Sequence, residues 1–212
     1  MFGKKQKKVL TTFECNHFSL FCDLVKDQFE YGGKKYALNA TRESTDELFD
    51  IYGRNWLLGT MAKYCFRYKN LKRERDILKI ACYSYIMWLK RGYFLQPQGL
   101  DHDAVDTNVA IKSENFAKFV VGVGHQFEIQ KGNTFAEKVH ASFLGLLETG
   151  DNTPLEIVGS ILEKAAGETW ESIKSHMLHL IFALCFMQWV KDGYHKLQGK
   201  VHDTDTYNTT AK

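Results

Sequence analysis

The stretch ACYSYIMWLKRGY, residues 81–93, has a counterpart later in the chain, FALCFMQWVKDGY, at residues 182–194. The two stretches share polar and aromatic residues as well as an apolar pattern. The identical pairs are Trp88 with Trp189, Lys90 with Lys191, Gly92 with Gly193 and Tyr93 with Tyr194. Similarity of this kind within one chain indicates that a structural unit has been repeated.

The similarity extends to both ends of the unit. Near its start, HFSLFCDLVKDQFE at residues 17–30 aligns with NFAKFVVGVGHQFE at residues 115–128. After a one-residue gap beyond the tryptophans, the identical pairs are Gln98 with Gln198, Gly99 with Gly199, His102 with His202, Asp103 with Asp203, Asn108 with Asn208 and Lys112 with Lys212. Amphipathic helices share phenylalanine spacing by chance, but a polar loop does not share Gln-Gly and His-Asp positions so easily. We therefore predict two diverged tandem copies, residues 1–112 and 113–212.

The composition favours helices throughout. Hydrophobic residues make up 44% of the chain and charged residues 25%, which is the balance of a folded protein. Pro97 and Pro154 are the only two prolines, so few positions would break a helix. No run of alternating apolar residues indicates a strand. We predict an all-α protein in which each copy forms a unit of four to five helices and the two units pack together.

Periodicity and capping signals place the helices of the first copy. Apolar residues recur at three- and four-residue steps from Phe18 to Phe29, which indicates a core-facing helix. Residues 31–42, which include Gly32-Gly33, are predicted to form a loop. Further helices are predicted from Ser44, where Glu47 completes a capping box, over residues 56–68, and over residues 73–90 with Gly92 at the end.

The second copy carries its own helix signals. Thr153 with Glu156 fits a capping box, and Pro154 occupies the first helical position, where its missing N–H costs nothing. Thr134 with Glu137 repeats the box, which predicts a helix over residues 135–147. The copies differ most there, because the first copy has its glycine-rich segment at the corresponding place.

Charge has diverged between the copies. Residues 1–112 hold 19 Lys and Arg against 13 Asp and Glu, a net charge of +6. Residues 113–212 hold 9 against 12, a net charge of −3. The asymmetry indicates that the basic first copy faces an anionic partner, while the acidic second copy has a regulatory or structural role.

Positive charge is most concentrated between residues 63 and 75. The candidate phosphate-binding residues are Lys63, Arg67, Lys69, Lys72 and Arg73, with Arg75 close behind. Aromatic residues alternate with them, which suits the binding of phosphates and stacked bases. Lys63 and Arg67 lie one helical turn apart and can reach the same anion. The alternative is a solvated basic turn whose aromatic side chains, Tyr64, Phe66 and Tyr68, point into the core.

The segment from residue 55 to residue 89 resembles small helical proteins that phages encode beside nucleotide kinases. The positions that carry the resemblance are Gly59, Lys63, Tyr64, Arg67, Lys69, Asp76, Leu78, Lys79, Ala81 and Tyr83. The piece YGRNWLLG, residues 52–59, is similar to phage relatives of the all-helical, MazG-like nucleoside triphosphate pyrophosphatases. The spacing after Asp76 departs from the pattern by one residue. The resemblance implies an all-helical protein that handles nucleotides.

A MazG-like activity implies a magnesium ion held by carboxylates from two facing helices, together with the substrate phosphates. The candidate ligands are Glu47 and Asp50, with Glu43, at helical spacing, together with Glu74 and Asp76 at the start of the long helix over residues 73–90. The double-glutamate pattern usual in that family is absent. Mg²⁺ is the one cofactor that the resemblance implies.

Three other features of the sequence give weaker evidence of a function. His102-Asp103 and His202-Asp203 recur in both copies, and we interpret them as clasps that hold a loop to its unit rather than as a metal dyad. The turn Gly32-Gly33-Lys34-Lys35 offers backbone amides to a phosphate but lacks P-loop spacing. The five cysteines form no Cys-x-x-Cys pair and are predicted to be reduced core thiols.

The leading hypothesis is a phage-type protein that binds a nucleotide or another polyphosphate, with magnesium-dependent pyrophosphohydrolysis as its enzymatic form. The competing hypothesis is a non-enzymatic helical module that binds nucleic acid or an acidic protein. No secretory signal or membrane-length apolar run is present, so we expect a cytoplasmic protein, in the host cell if a phage encodes it, without a membrane partner. A homo-oligomer is left open.

Overall fold

The computed structural model describes residues 12–37, 44–92, 109–127 and 153–196. All regular elements in these residues are helical, which confirms the all-α prediction. The helices are α1 (Thr12–Lys35), α2 (Ser44–Tyr52), α3 (Arg54–Leu71), α4 (Glu74–Lys90), α5 (Val109–Phe127), α6 (Pro154–Gly167) and α7 (Ser175–Lys191), followed by a 3₁₀ turn at Tyr194–Lys196. The His-Asp motifs and the helix predicted over residues 135–147 lie outside the described residues.

Several helix ends follow the sequence signals. In the capping box of α6, the Glu156 amide donates to Thr153 Oγ1 at 3.3 Å, and the Thr153 amide donates to Glu156 Oε2 at 2.7 Å. The hydrogen bond from the Thr153 backbone holds the pKa of Glu156 below its ordinary value. Just beyond α4 and α7, Gly92 and Gly193 adopt φ values of 72° and 77°, in the left-handed region that glycine occupies without strain.

The predicted loop over residues 31–42 is wrong in its first part, because α1 continues to Lys35. A glycine weakens a helix by only about 1 kcal/mol, and packing just before the pair outweighs that cost. Phe29 packs against Tyr85 of α4 with ring centroids 5.5 Å apart. Since Gly32-Gly33 is helical, the phosphate-cradling turn predicted there does not form.

Helices α4 and α7 lie side by side at the centre of the core. The indole Nε1 of Trp88, near the end of α4, donates to Oγ of Ser175, the first residue of α7, at 2.9 Å. The indole Nε1 of Trp189, near the end of α7, donates to Oε1 of Glu74, the first residue of α4, at 2.7 Å. The two helices are therefore antiparallel, and both contain 17 residues.

The aromatic contacts around Trp88 resemble those around Trp189. Trp88 lies 5.5 Å from Phe119 of α5, and Trp189 lies 5.6 Å from Phe21 of α1, between ring centroids. Tyr85 and Phe116 are 5.0 Å apart, as Phe186 and Phe18 are 5.1 Å apart. The two contacts in each of these comparisons are made by aligned residues: Trp88 and Phe119 align with Trp189 and Phe21, and Tyr85 and Phe116 align with Phe186 and Phe18. Each central helix thus packs on the long helix of the other half as well as on that of its own half.

The end of α7 closes over the turn between α3 and α4. Tyr68 of α3 donates to Asp192 Oδ2 through a short hydrogen bond, and Gln188 Nε2 donates to the same oxygen at 2.7 Å. The Tyr194 hydroxyl donates to the backbone oxygen of Lys72 at 2.6 Å. Lys72 has φ 48°, so a non-glycine residue is held in the left-handed region at this turn.

The described cysteines fit the prediction of reduced core thiols. Cys22, Cys82 and Cys185 are buried, Cys65 is partly buried, and none of these four forms a disulfide. Burial raises the pKa of Cys22 and of Cys65 to about 12, which keeps both thiols protonated and unreactive. None of the described helices is both long and apolar enough to cross a membrane.

Gly122 allows α5 to approach α7 closely. A Cβ atom at this position would lie 2.3 Å from Cε1 and 2.7 Å from Nε2 of His179. His179 is buried, and its ring packs against Phe119 with centroids 4.9 Å apart, so it has little room to move. The sequence alignment gives no hint of this constraint.

We expect Gly122→Ala to lower the free energy of unfolding by about 1–3 kcal/mol, because the added methyl group overpacks the α5–α7 contact. Gly124→Ala is the matched control on the same helix, since nothing lies within 4 Å of a Cβ there. That change should stabilise the helix by about 0.5–1 kcal/mol. Urea denaturation of both variants measures the difference. Equal stabilities would contradict the close approach of α5 and α7.

Candidate phosphate-binding surface

Helices α3 and α4 carry the basic residues that the sequence singled out. None of the 18 residues of α3 is acidic, whereas the helix holds four basic residues, Arg54, Lys63, Arg67 and Lys69. Two residues connect α3 to α4, so the second half of α3 lies beside the first turns of α4. Charges from both helices therefore gather on one side of the molecule.

Three cations surround the ring of Tyr64. Lys63 Nζ, Arg67 Cζ and Lys79 Nζ lie 4.8, 5.5 and 5.0 Å from its centroid. Lys79 Nζ also donates to the Tyr64 hydroxyl at 3.1 Å. The ring is itself fixed, because it is buried and stacks on Tyr83 at 6.1 Å between centroids. We call Lys63, Tyr64, Arg67 and Lys79 the Tyr64 cluster.

Asp76 is the acidic residue beside this cluster. Its side chain is 0% exposed, and Oδ1 lies 3.2 Å from Nη2 of Arg67, whose side chain is 32% exposed. Burial raises the pKa of Asp76, while the charges of Arg67, Arg73 and Lys79 oppose the shift without cancelling it. The buried carboxylate holds Arg67 in place but offers no negative charge to solvent.

The proton of Lys79 is held less tightly than that of an ordinary lysine. Burial is the largest cause of its lowered pKa, and the positive charges of Arg75 and Arg67 act in the same direction. Asp76 and Tyr36 oppose them only in part. An anion placed beside Lys79 would relieve this repulsion and raise the pKa again.

The predicted phosphate-binding residues do not all lie together. Lys63 and Arg67 share one face of α3, but Lys69 lies two residues beyond Arg67 and so projects from nearly the opposite face. There Lys69 and Lys72 act electrostatically on Glu156 of α6. Arg73 is exposed just before α4 and acts on Asp76. The set therefore divides into one group beside Tyr64 and another that is exposed and acts on Glu156.

Lys79 was not among the predicted phosphate-binding residues, although its Nζ lies 5.0 Å from the Tyr64 centroid and donates to the Tyr64 hydroxyl. Lys79 follows Asp76 by three residues, which puts both on one face of α4. That spacing was a usable signal. Of the three aromatic residues in the basic segment, Tyr64 and Tyr68 are buried, as in the alternative interpretation, while Phe66 is exposed.

The candidate magnesium ligands are dispersed. Glu47 and Asp50 are exposed on α2, whose Asp46 pairs with Lys90 near the end of α4 at 2.6 Å. Asp76 lies near the start of α4, about 21 Å away along the helix axis. Glu74 accepts the indole hydrogen of Trp189. Among the described residues, no three acidic, histidine or cysteine side chains come together as a metal site. Magnesium binding stays a prediction without geometric support.

Comparisons with known proteins give no relative for this chain: no family model, no curated protein and no solved structure matches it. The resemblance to phage nucleotide-handling proteins therefore stays an interpretation of the sequence.

The raised pKa of Asp76 predicts a pH-dependent difference between the protein and its Asp76→Asn variant. The folded protein binds the Asp76 proton more tightly than the unfolded chain, so its stability falls as pH rises from the ordinary value of 3.8 through the raised value. Asparagine has a similar shape but no such proton. We expect Asp76→Asn to gain stability relative to the unchanged protein over that window, as measured by urea denaturation between about pH 4 and pH 8. A gain that shrank with rising pH would mean that pairing with Arg67 outweighs burial.

Proposed function

We propose that this protein binds a nucleotide or another polyphosphate at the Tyr64 cluster. The observation that carries the proposal is the convergence of Lys63, Arg67 and Lys79 on one buried tyrosine ring. The side chain of Asp76, an acidic neighbour of these cations, is fully buried. Solvent therefore meets positive charge on this surface, as an anion-binding surface requires.

The electrostatics of the cluster support the proposal. Burial is the main cause of the lowered pKa of Lys79, and the nearby positive charges of Arg75 and Arg67 lower it further. A phosphate group next to the cluster would replace repulsion by attraction and accept charge-assisted hydrogen bonds from lysine and arginine. Arg67 is already oriented by Asp76, so little side-chain freedom is lost when it meets a ligand.

Binding, rather than hydrolysis, is the activity that the geometry favours. Pyrophosphohydrolysis by a MazG-like mechanism needs carboxylates gathered around magnesium, and Glu47 and Asp50 lie far from Asp76. The cations of the Tyr64 cluster need no metal ion to attract phosphate. The same cations would serve the competing function, in which a nucleic acid or an acidic protein is the partner.

We also propose that the chain arose by duplication of one helical unit. The reciprocal hydrogen bonds of Trp88 and Trp189 and the paired aromatic distances support this origin. The alignment puts Met177 and Leu180 at the positions of Asp76 and Lys79. The second copy therefore lacks counterparts of Asp76 and Lys79, and we expect one polyphosphate site per chain.

Removing two lysines of the cluster should weaken polyphosphate binding. We expect Lys63→Gln with Lys79→Gln to lower the affinity for tripolyphosphate and for ATP by about tenfold or more, because charge-assisted hydrogen bonds are lost. Arg67 is left unchanged so that Asp76 keeps its partner. Isothermal titration without magnesium measures both affinities.

The control for that experiment is Lys118→Gln with Lys164→Gln, which removes two exposed lysines from the second copy. The net charge falls by the same amount, so a general electrostatic effect would weaken both variants alike. The proposal is overturned if the two variants bind equally, or if the unchanged protein binds neither ligand.

Duplication predicts a specific result for an experimental structure of the full chain. A single rotation of about 180° should superpose α1 and α4 on α5 and α7 and, at the same time, α5 and α7 on α1 and α4. The fitted positions should pair Trp88 with Trp189. Separate rotations for the two helix pairs would contradict a common ancestor with this arrangement.

A further inference from the structure

The outward face of α3 presents an aromatic ring to solvent. Phe66 is 71% exposed, whereas Tyr64 and Tyr68 on the same helix are 6% and 2% exposed. A single exposed aromatic residue is ordinary on a protein surface, so the meaning of this one depends on the residues around it.

The residues around Phe66 on this face are either small or positively charged. Lys63 lies one turn before it and Lys69 one turn after it, and both are exposed. On the helix surface these two lysines flank the ring, about 9 Å apart along the helix axis. Gly59 and Ala62 precede the ring on the same face, and nothing lies within 4 Å of a Cβ built on Gly59. The strip therefore lets a flat ligand approach the ring.

A protein partner fits this face poorly. Phe66 is the one large apolar side chain in the strip, while protein interfaces rely on a contiguous apolar centre. The Asn70 amide donates to the backbone oxygen of Phe66 at 3.0 Å and adds a polar edge. A single ring between two lysines has the composition of a surface on which bases stack and phosphates pair.

We propose that α3 binds single-stranded nucleic acid along this face. One base stacks on the Phe66 ring, and the phosphates on either side of that nucleotide pair with Lys63 and Lys69. The proposal rests on the proposed function, because Lys63 belongs to both the Tyr64 cluster and this strip. It adds an aromatic contact that inorganic polyphosphate cannot make, and it gives Lys69 a role apart from the cluster.

The test compares a labelled 20-nucleotide oligothymidylate with an abasic oligonucleotide of equal length, by fluorescence anisotropy at several salt concentrations. Phe66→Ala should weaken oligothymidylate binding by between about five- and about 150-fold, the range expected for loss of one base–aromatic stack. Phe66→Leu should lose most of the affinity despite its apolar side chain, and Phe66→Trp should keep it. Abasic binding should be the same for all four proteins.

The salt dependence of binding distinguishes the contribution of base stacking on Phe66 from that of the charge of Lys69. Phe66 variants should keep the slope of the logarithm of the binding constant against the logarithm of the salt concentration. Lys69→Gln should reduce the magnitude of that slope by roughly 0.7, the value for one phosphate contact on a single strand. Phe66 is exposed, so these variants should retain the thermal unfolding of the unchanged protein. Equal affinities for normal and abasic strands, or no effect of Phe66→Ala, would overturn the stacking proposal.

Tripolyphosphate titrations on the same samples distinguish this failure from failure of the proposed function. If tripolyphosphate binds through Lys63 and Lys79 but the oligonucleotide shows no dependence on Phe66, the polyphosphate site stands and the stacking proposal falls. If neither ligand binds, both proposals fall.

Discussion

Two buried tryptophans fix the relation between the halves of this molecule, since each indole donates to the first residue of the opposite central helix. A buried indole N–H without an acceptor is costly, so both bonds constrain how α4 and α7 can slide. Only the antiparallel register in which Ser175 meets Trp88 and Glu74 meets Trp189 satisfies both donors. The core aromatic rings of α1 and α5 then pack against the same two indoles.

The charged site is a consequence of that register. Because Glu74 is held against Trp189, one side of the first turn of α4 lies against the core, and Asp76 is buried there. A buried carboxylate requires a cation, and Arg67 of the neighbouring helix supplies one. The closing contact of Tyr194 on the α3–α4 turn keeps these helices in place. The site is thus built at the boundary between a rigid aromatic core and solvent.

Much of the fold could be predicted from the sequence, because its signals are local. Helix periodicity and the Thr153 capping box act over a few residues, and the structure follows them. The Gly32-Gly33 pair misled the prediction because the helical cost of glycine was weighed without the packing of Phe29 on Tyr85. The site was harder to predict. The Arg67–Asp76 pair forms only when the turn brings α3 back along α4, and neither linear spacing nor composition encodes that approach.

In the proposed binding site, α3 would offer an anion one fixed cation, Arg67, and one adaptable cation, Lys63. Arg67 pairs with the buried Asp76 side chain, which keeps its guanidinium in one position. Lys63 is exposed and only rests over Tyr64, so it can follow a ligand toward either the cluster or the strip. Any anion that binds the folded protein alone also stabilises it by mass action. Burial, together with the charges of Arg75 and Arg67, disfavours the protonated form of Lys79 in the folded state, so the proposed anion beside it would favour that form and would stabilise the α3–α4 pair.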